Sequence, residues 1–216
     1  MRLMKKKNPD YYVLKCDIKK YFYTINKNIL FNIMKSYISD KKLLQLTEIF
    51  IFDNNDVKGI PIGNYTSQFF ANIYLDKLDH LIKDKLRVKY YVRYMDDFVL
   101  LLNNKEEAKQ ILKEITEFLE KKLDLELNKK TRYYPNKLGI DFCGYKIYDT
   151  HIKIRKRSIV KIKRKIKVWN NLYAQDKLDF HNFLLCFNSF KGHIKHGNCY
   201  NLYNKLVSTI DFKELL

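Results

Sequence analysis

"VRYMDDFVLLL", residues 92–102, sets Asp96 and Asp97 side by side in an otherwise apolar run. Burying an unpaired carboxylate is costly, and two adjacent ones also repel each other. The pair therefore either sits at an exposed hairpin tip or faces something strongly positive. Asp-Asp is an ordinary turn dipeptide and the flanking residues are β-prone, so the stretch alone reads equally well as a plain strand–turn–strand. The rest of the chain decides.

At 216 residues the chain is one domain, or one domain with an appendage, long enough for a substantial core. Forty-two Lys and Arg against 24 Asp and Glu leave a formal charge of +18, an excess that suits a polyanionic partner. A membrane surface would attract the same charge. However, no apolar run approaches the length of a spanning helix, and Met1–Lys7 lacks the apolar stretch of a signal peptide. Seventeen Tyr and 14 Phe are enough both for a core and for stacking on bases. Cys16, Cys143, Cys186 and Cys199 form no Cys-x-x-Cys pair, which fits reduced thiols and a cytoplasmic location. His193 and His196 have a metal-pair spacing but no third ligand nearby.

"YYVLKCDI", from Tyr11 to Ile18, is β-prone and ends on an acid. "INKNILFNIMKSYI" then places Ile29, Leu30, Ile33, Met34, Tyr37 and Ile38 on one helical face. The pattern predicts further helices over Lys41–Ile51 and from about Ser67 to Leu86, with the turn-rich "DNNDVKGIPIGN" between them. After the hairpin, a periodic helix turns Ala108, Ile111, Leu112, Ile115, Phe118 and Leu119 inward. Short strands are expected at Leu125–Asn128 and Phe142–Ile147, and a basic helical tail begins near Arg155. The order predicts an α+β sheet layered with helices.

If the strand ending at Asp17 neighbours the hairpin, three carboxylates meet at one sheet edge. Such a cluster in a basic protein calls for a divalent cation, and all-oxygen ligands suit magnesium. Paired ions of this kind serve phosphoryl transfer, which needs no nucleophilic Ser, Cys or His; no convincing triad is present.

"CDIKKYF" followed about eighty residues later by "YMDD" resembles the palm of a reverse transcriptase. "GIPIGNYTSQFFANIYLDKLDH" resembles that family's loop and helix beneath the nascent base pair. "LNKKTRYY" is similar to its lysine-bearing segment, and "FCGYKI" to the hairpin that grips the primer end. "SFKGHIKHGNCYNLY" resembles the thumb-region tail of one subgroup. The run Ile62-Gly63-Asn64-x-Thr66-Ser67-Gln68 resembles reverse transcriptases of diversity-generating retroelements. Group II intron enzymes usually carry Pro-Gln-Gly and Ser-Pro at these places.

The resemblance spans residues 10–205 and implies a right-hand polymerase palm, an antiparallel sheet with helices on one face, followed by a basic helical thumb. Residues 1–154 would be palm with residual fingers, and 155–216 the thumb-like region. It implies an RNA-directed DNA polymerase that copies template RNA into cDNA, error-prone at template adenines. Its partners would be template RNA, a DNA or RNA primer, deoxynucleoside triphosphates and a small basic accessory protein. Two Mg2+ ions would serve, with Mn2+ as a substitute. Only about ten residues precede Tyr11, so most of the fingers are expected to be missing. Two rivals follow: a fingers-truncated, non-catalytic RNA-binding remnant, and a group II intron or host-defence reverse transcriptase.

By the same resemblance Asp17, Asp96 and Asp97 are the catalytic, metal-binding carboxylates, joined by the Ile18 carbonyl. Phe22 would be an aromatic gate under the sugar, against an ordinary core role. Ile62, Gly63, Gln68 and Lys130 would line the nucleotide site; a turn glycine and a solvated charge are the rivals for Gly63 and Lys130, and a helix cap for the neighbouring Ser67. Arg155, Lys156, Arg157, Lys161, Lys163, Arg164, Lys165 and Lys167 put eight cations in thirteen residues without an intervening acid. They should track a template–primer backbone.

Overall fold

The computed structural model describes residues 1–53 and 56–213. Asn54 and Asn55 of the turn-rich segment, and the last three residues of the thumb-like region, lie outside the described residues. The chain forms two compact units: Leu3–Asn136, and Lys137–Leu216 with Met1–Arg2. The change of character expected at Arg155 falls inside the second unit, between its sheet and its first helix.

After its part of α1 (Arg2–Lys7), which begins one residue before the unit does, the first unit runs β1 (Tyr12–Asp17), α2 (Tyr21–Thr24), α3 (Lys27–Tyr37), α4 (Lys41–Ile51), α5 (Tyr65–His80), β2 (Tyr90–Tyr94), β3 (Asp97–Leu102), α6 (Lys105–Leu123) and β4 (Arg132–Pro135). Its sheet is antiparallel in the order β2-β3-β1-β4, so the two acid-bearing strands are the central ones. Leu14, Cys16, Phe98, Leu100 and Leu102 join the buried residues of α3, α5 and α6 in one core. This is the predicted α+β layering.

Local chemistry sets the helix ends. Asn26, Asp40 and Asn104 each accept backbone N–H bonds as N-caps of α3, α4 and α6. On α6 the predicted face holds: Ala108, Ile111, Ile115 and Leu119 are buried, with Leu112 and Phe118 packed against them. α5 begins at Tyr65, two residues before the predicted start, and ends in a π turn at Leu81–Lys85. Asn64 is its N-cap residue, so Ser67 lies buried inside the helix rather than capping it.

The expected strand at Leu125–Asn128 does not form. Leu127 makes only an isolated bridge to Ile18, beyond the end of β1, and the chain then turns at Lys129–Lys130. Arg132–Pro135 pairs with β1 instead, as an edge strand that tolerates a proline at its end.

In the second unit, β5 (Ile140–Phe142), β6 (Tyr145–Ile147) and β7 (Ile152–Ile154) make a small antiparallel sheet. The stretch expected from its pattern as a short strand over Phe142–Ile147 is a two-residue hairpin, the form that the resemblance of "FCGYKI" implied. Cys143 and Gly144 both take positive φ there, 46° and 89°. The helices α7 (Lys156–Tyr173), α8 (Phe180–Lys195) and α9 (Tyr200–Val207) bury Ile162, Ile166, Phe183, Phe187 and Leu206 together.

Candidate active site

Strand alternation answers the question posed by the adjacent acids. Cys16 and Phe98 pair in register and point to the helices, so the next pair, Asp17 and Asp97, points to the opposite face. Tyr94 pairs with Asp97, which leaves Met95 and Asp96 as a two-residue turn. Met95 takes φ 57°. The Ile18 amide donates to the Asp96 carbonyl (3.2 Å), and the Asp17 amide to Thr131 Oγ1 (3.3 Å). Three carboxylates therefore belong to one corner of the sheet, two directly opposed and the third in the turn.

The corner is short of positive charge. Burial first, then repulsion from Asp96 and Asp97, holds the Asp17 carboxyl above its ordinary range, against the pull of Lys15 and Lys130. Asp96 is raised too, by burial and then by Asp97. Lys15 Nζ donates to Asp97 Oδ2 at 2.9 Å, while Asp97 Oδ1 is buried without a hydrogen-bond partner. Hard oxygen donors, mutual repulsion and an unmatched buried oxygen fit a divalent cation of the magnesium class. Among the described residues, no three His, Cys, Asp or Glu side chains are already gathered as a ligand set.

Of the other predicted residues in the first unit, Phe22 is on α2, Ile62 and Gly63 on the loop before α5, Gln68 on α5, and Lys130 in the turn before β4. Phe22 is half-buried, edge-on to Tyr21 with ring centroids 5.7 Å apart, and packs against the core. Its carbonyl accepts from the Ile60 amide (2.9 Å), which ties it to the "IPIG" loop. Ile62 is 60% exposed. Gly63 has φ 103° and open space where a side chain would stand, so its conformation, not crowding, calls for glycine. Gln68 is exposed on the first turns of α5, and Lys130 is exposed with its charge acting on Asp17.

In the second unit Lys156, Arg157, Lys161, Lys163, Arg164 and Lys167 are exposed along α7, while Ile162 and Ile166 face inward. Arg155 is instead engaged by Asp141, and Lys165 lies over the Trp169 ring at 5.9 Å. His193 stacks on Tyr145, centroids 4.7 Å apart. Sequence reasoning did not pick out Lys15; only strand register shows that it reaches across to Asp97. It also passed over Arg93 and Asp79, an ion pair beneath the turn. No helix among the described residues is long and apolar enough to cross a membrane.

Residues 1–147 match the reverse transcriptase (RNA-dependent DNA polymerase) family. The chain is 26% identical over 213 residues to the putative COX1/OXI3 intron 2 protein of Saccharomyces cerevisiae, covering 68% of this chain and 25% of that protein. The structure of telomerase from Candida tropicalis in complex with a TWJ fragment of telomeric RNA is similar in fold, with TM-score 0.57 at 17% identity over 88% of this chain and 41% of that one. Telomerase from Candida albicans, in complex with the same kind of fragment, gives TM-score 0.53 at 15% identity over 98% and 46%. The chain thus spans about a quarter of the curated relative's length and under half of each of these structures.

Proposed function

The chain belongs to the reverse transcriptase family, and from that premise we propose that it is an RNA-directed DNA polymerase, copying a template RNA into cDNA from a primer 3′-hydroxyl. One observation carries the reading: Asp17 and Asp97 are paired across the two central strands, with Asp96 in the turn beside them. In this proposal Asp17, Asp96 and Asp97 hold divalent metal, with the Ile18 carbonyl as a further ligand. Bound magnesium supplies activation of the 3′-hydroxyl and stabilisation of the leaving pyrophosphate. Lys130 adds positive charge beside Asp17, toward the phosphates of the incoming nucleotide. Residues 1–154 carry the chemistry and 155–216 the duplex contacts, with the exposed cations of α7 along the nucleic-acid backbone. Extension of a primed RNA template with deoxynucleotides, by the full polypeptide that its reading frame encodes, tests this. RNA binding without extension would favour a non-catalytic remnant.

Phe22 bears on which sugar is accepted. Its ring is held by Tyr21 and the core, so it cannot swing away from a ribose 2′-hydroxyl at low cost. Overpacking of this kind costs about 1–3 kcal/mol, roughly tenfold to a hundredfold in rate. Phe22→Ala should raise ribonucleotide incorporation relative to deoxynucleotide by about that factor in single-turnover assays. An unchanged ratio returns Phe22 to the core.

Within this function we propose the finer assignment to a diversity-generating retroelement, supported by the Ile62–Gln68 run. Where many family members carry Gln between Pro and Gly, Ile62 offers neither donor nor acceptor. It is exposed on the loop rather than packed beneath it, in keeping with a place beside substrate. A hydrogen bond absent from right and wrong pairs to different extents is worth about 0.5–1.5 kcal/mol, a few-fold to tenfold in error rate. cDNA sequenced from a mixed-base template should show errors concentrated at adenine, and Ile62→Gln should lower them by about that factor. Errors spread evenly over the four bases would favour the intron-type alternative, to which the similarity with the yeast intron 2 protein also points.

A further inference from the structure

Beneath the acidic turn, on the helix face of the sheet, lies a charged cluster that the chemistry above does not use. Arg93 on β2 pairs in register with Phe98, so its side chain is directed toward α5, and it is only 12% exposed. Its Nε donates to both oxygens of Asp79 (2.9 and 3.2 Å), and Nη2 donates to Asp79 Oδ2 (2.5 Å). The Tyr91 hydroxyl donates to Asp79 Oδ1 at 2.6 Å. Asn72 and Asp79 are seven residues apart on α5, about two turns, and so share a face. Arg93 Nη1 donates to Asn72 Oδ1 (3.2 Å) and to the carbonyl of Met95 (3.1 Å).

That last bond matters because of where the carbonyl sits. It belongs to the peptide linking Met95 to Asp96, and Met95 holds a left-handed φ that residues with a side chain rarely adopt. The Asp96 carbonyl is held from the other side by the Ile18 amide. Both peptides flanking the Asp96 side chain are therefore tied down, one to β1 and one through Arg93 to α5. A planar guanidinium can meet a carboxylate along one edge while reaching a carbonyl with its remaining nitrogen; an ammonium cannot span both.

We propose that Arg93, anchored by Asp79, is a positioning residue that fixes the Met95–Asp96 peptide and with it the catalytic carboxylate. This rests on the polymerase reading of the turn. A buried ion pair serving stability alone would make a different prediction, because it would act on the whole unit rather than on one peptide.

The test compares Arg93→Lys with the parent by steady-state primer extension and by amide hydrogen exchange across residues 94–98. The expected result is a kcat lowered by roughly tenfold to a hundredfold, with KM for nucleotide and for primer–template within about threefold, as misplacement of a reacting group predicts. Exchange should quicken at the turn while the centres of β1 and β3 keep their protection. Unchanged kcat in the folded variant, or exchange that quickens evenly through the unit, would overturn the proposal. Should Arg93→Lys not fold, Asp79→Asn poses the same question, because it keeps the side-chain size and weakens the anchor. If the parent does not extend primers, the polymerase reading fails separately. Exchange then decides the clamp alone: faster at the turn supports it, unchanged overturns it.

Discussion

Asp96→Asn is expected to abolish primer extension while leaving the fold intact. Replacing even an outer-sphere partner of a metal ligand costs about 10–100-fold, so loss of a direct ligand should exceed about 10²-fold. The stability side of the expectation follows from the charge of the corner. Burial and Asp97 raise the Asp96 carboxyl in the folded chain, so its ionised form opposes folding once pH passes the ordinary carboxylate range. The neutral amide removes that opposition, and the melting temperature at neutral pH should be unchanged or higher. Extension retained by a well-folded variant would remove Asp96 from the metal site. A fall in both activity and melting temperature would instead make Asp96 a structural turn residue.

Phe98→Ala should produce the largest loss of stability. Phe98 is fully buried, next to the acidic pair in sequence and on the other face of the strand. It packs edge-on against Tyr91, with ring centroids 6.2 Å apart, in the core shared by the sheet, α3, α5 and α6. Truncating a buried phenylalanine costs about 3–5 kcal/mol, a large share of the roughly 5–15 kcal/mol that holds a domain folded. Val92, half exposed on the neighbouring strand, is the control; Val92→Ala should cost less than about 1 kcal/mol. Denaturant unfolding of the two variants measures both. Equal losses would show that Phe98 does not anchor the core.

Much of the architecture was legible because it repeats locally. The α6 face could be read from Ala108, Ile111, Ile115 and Leu119, since a helix buries one residue in every three or four. The hairpin around Asp96 and Asp97 was legible because two acids interrupt a β-prone run. Leu125–Asn128 misled for the complementary reason. Its alternation resembles a strand, but β1 has ended where Leu127 meets it, and a strand needs a partner of matching length. Arg132–Pro135 escaped notice because an edge strand ending in proline has a weak pattern of its own.

The sequence by itself determined that Asp96 and Asp97 could not join the apolar core unaided, that the chain is strongly basic, and that its elements layer helices on a sheet. These follow from composition and from periods of two and three to four residues, which every segment carries within itself. Only the tertiary structure decided that Asp17 stands opposite Asp97, that Lys15 reaches Asp97, that Asp141 engages Arg155, and that Arg93 braces the turn from α5. Each joins residues whose neighbourhood depends on strand order and register. No local pattern encodes which strand, some eighty residues away, will lie alongside.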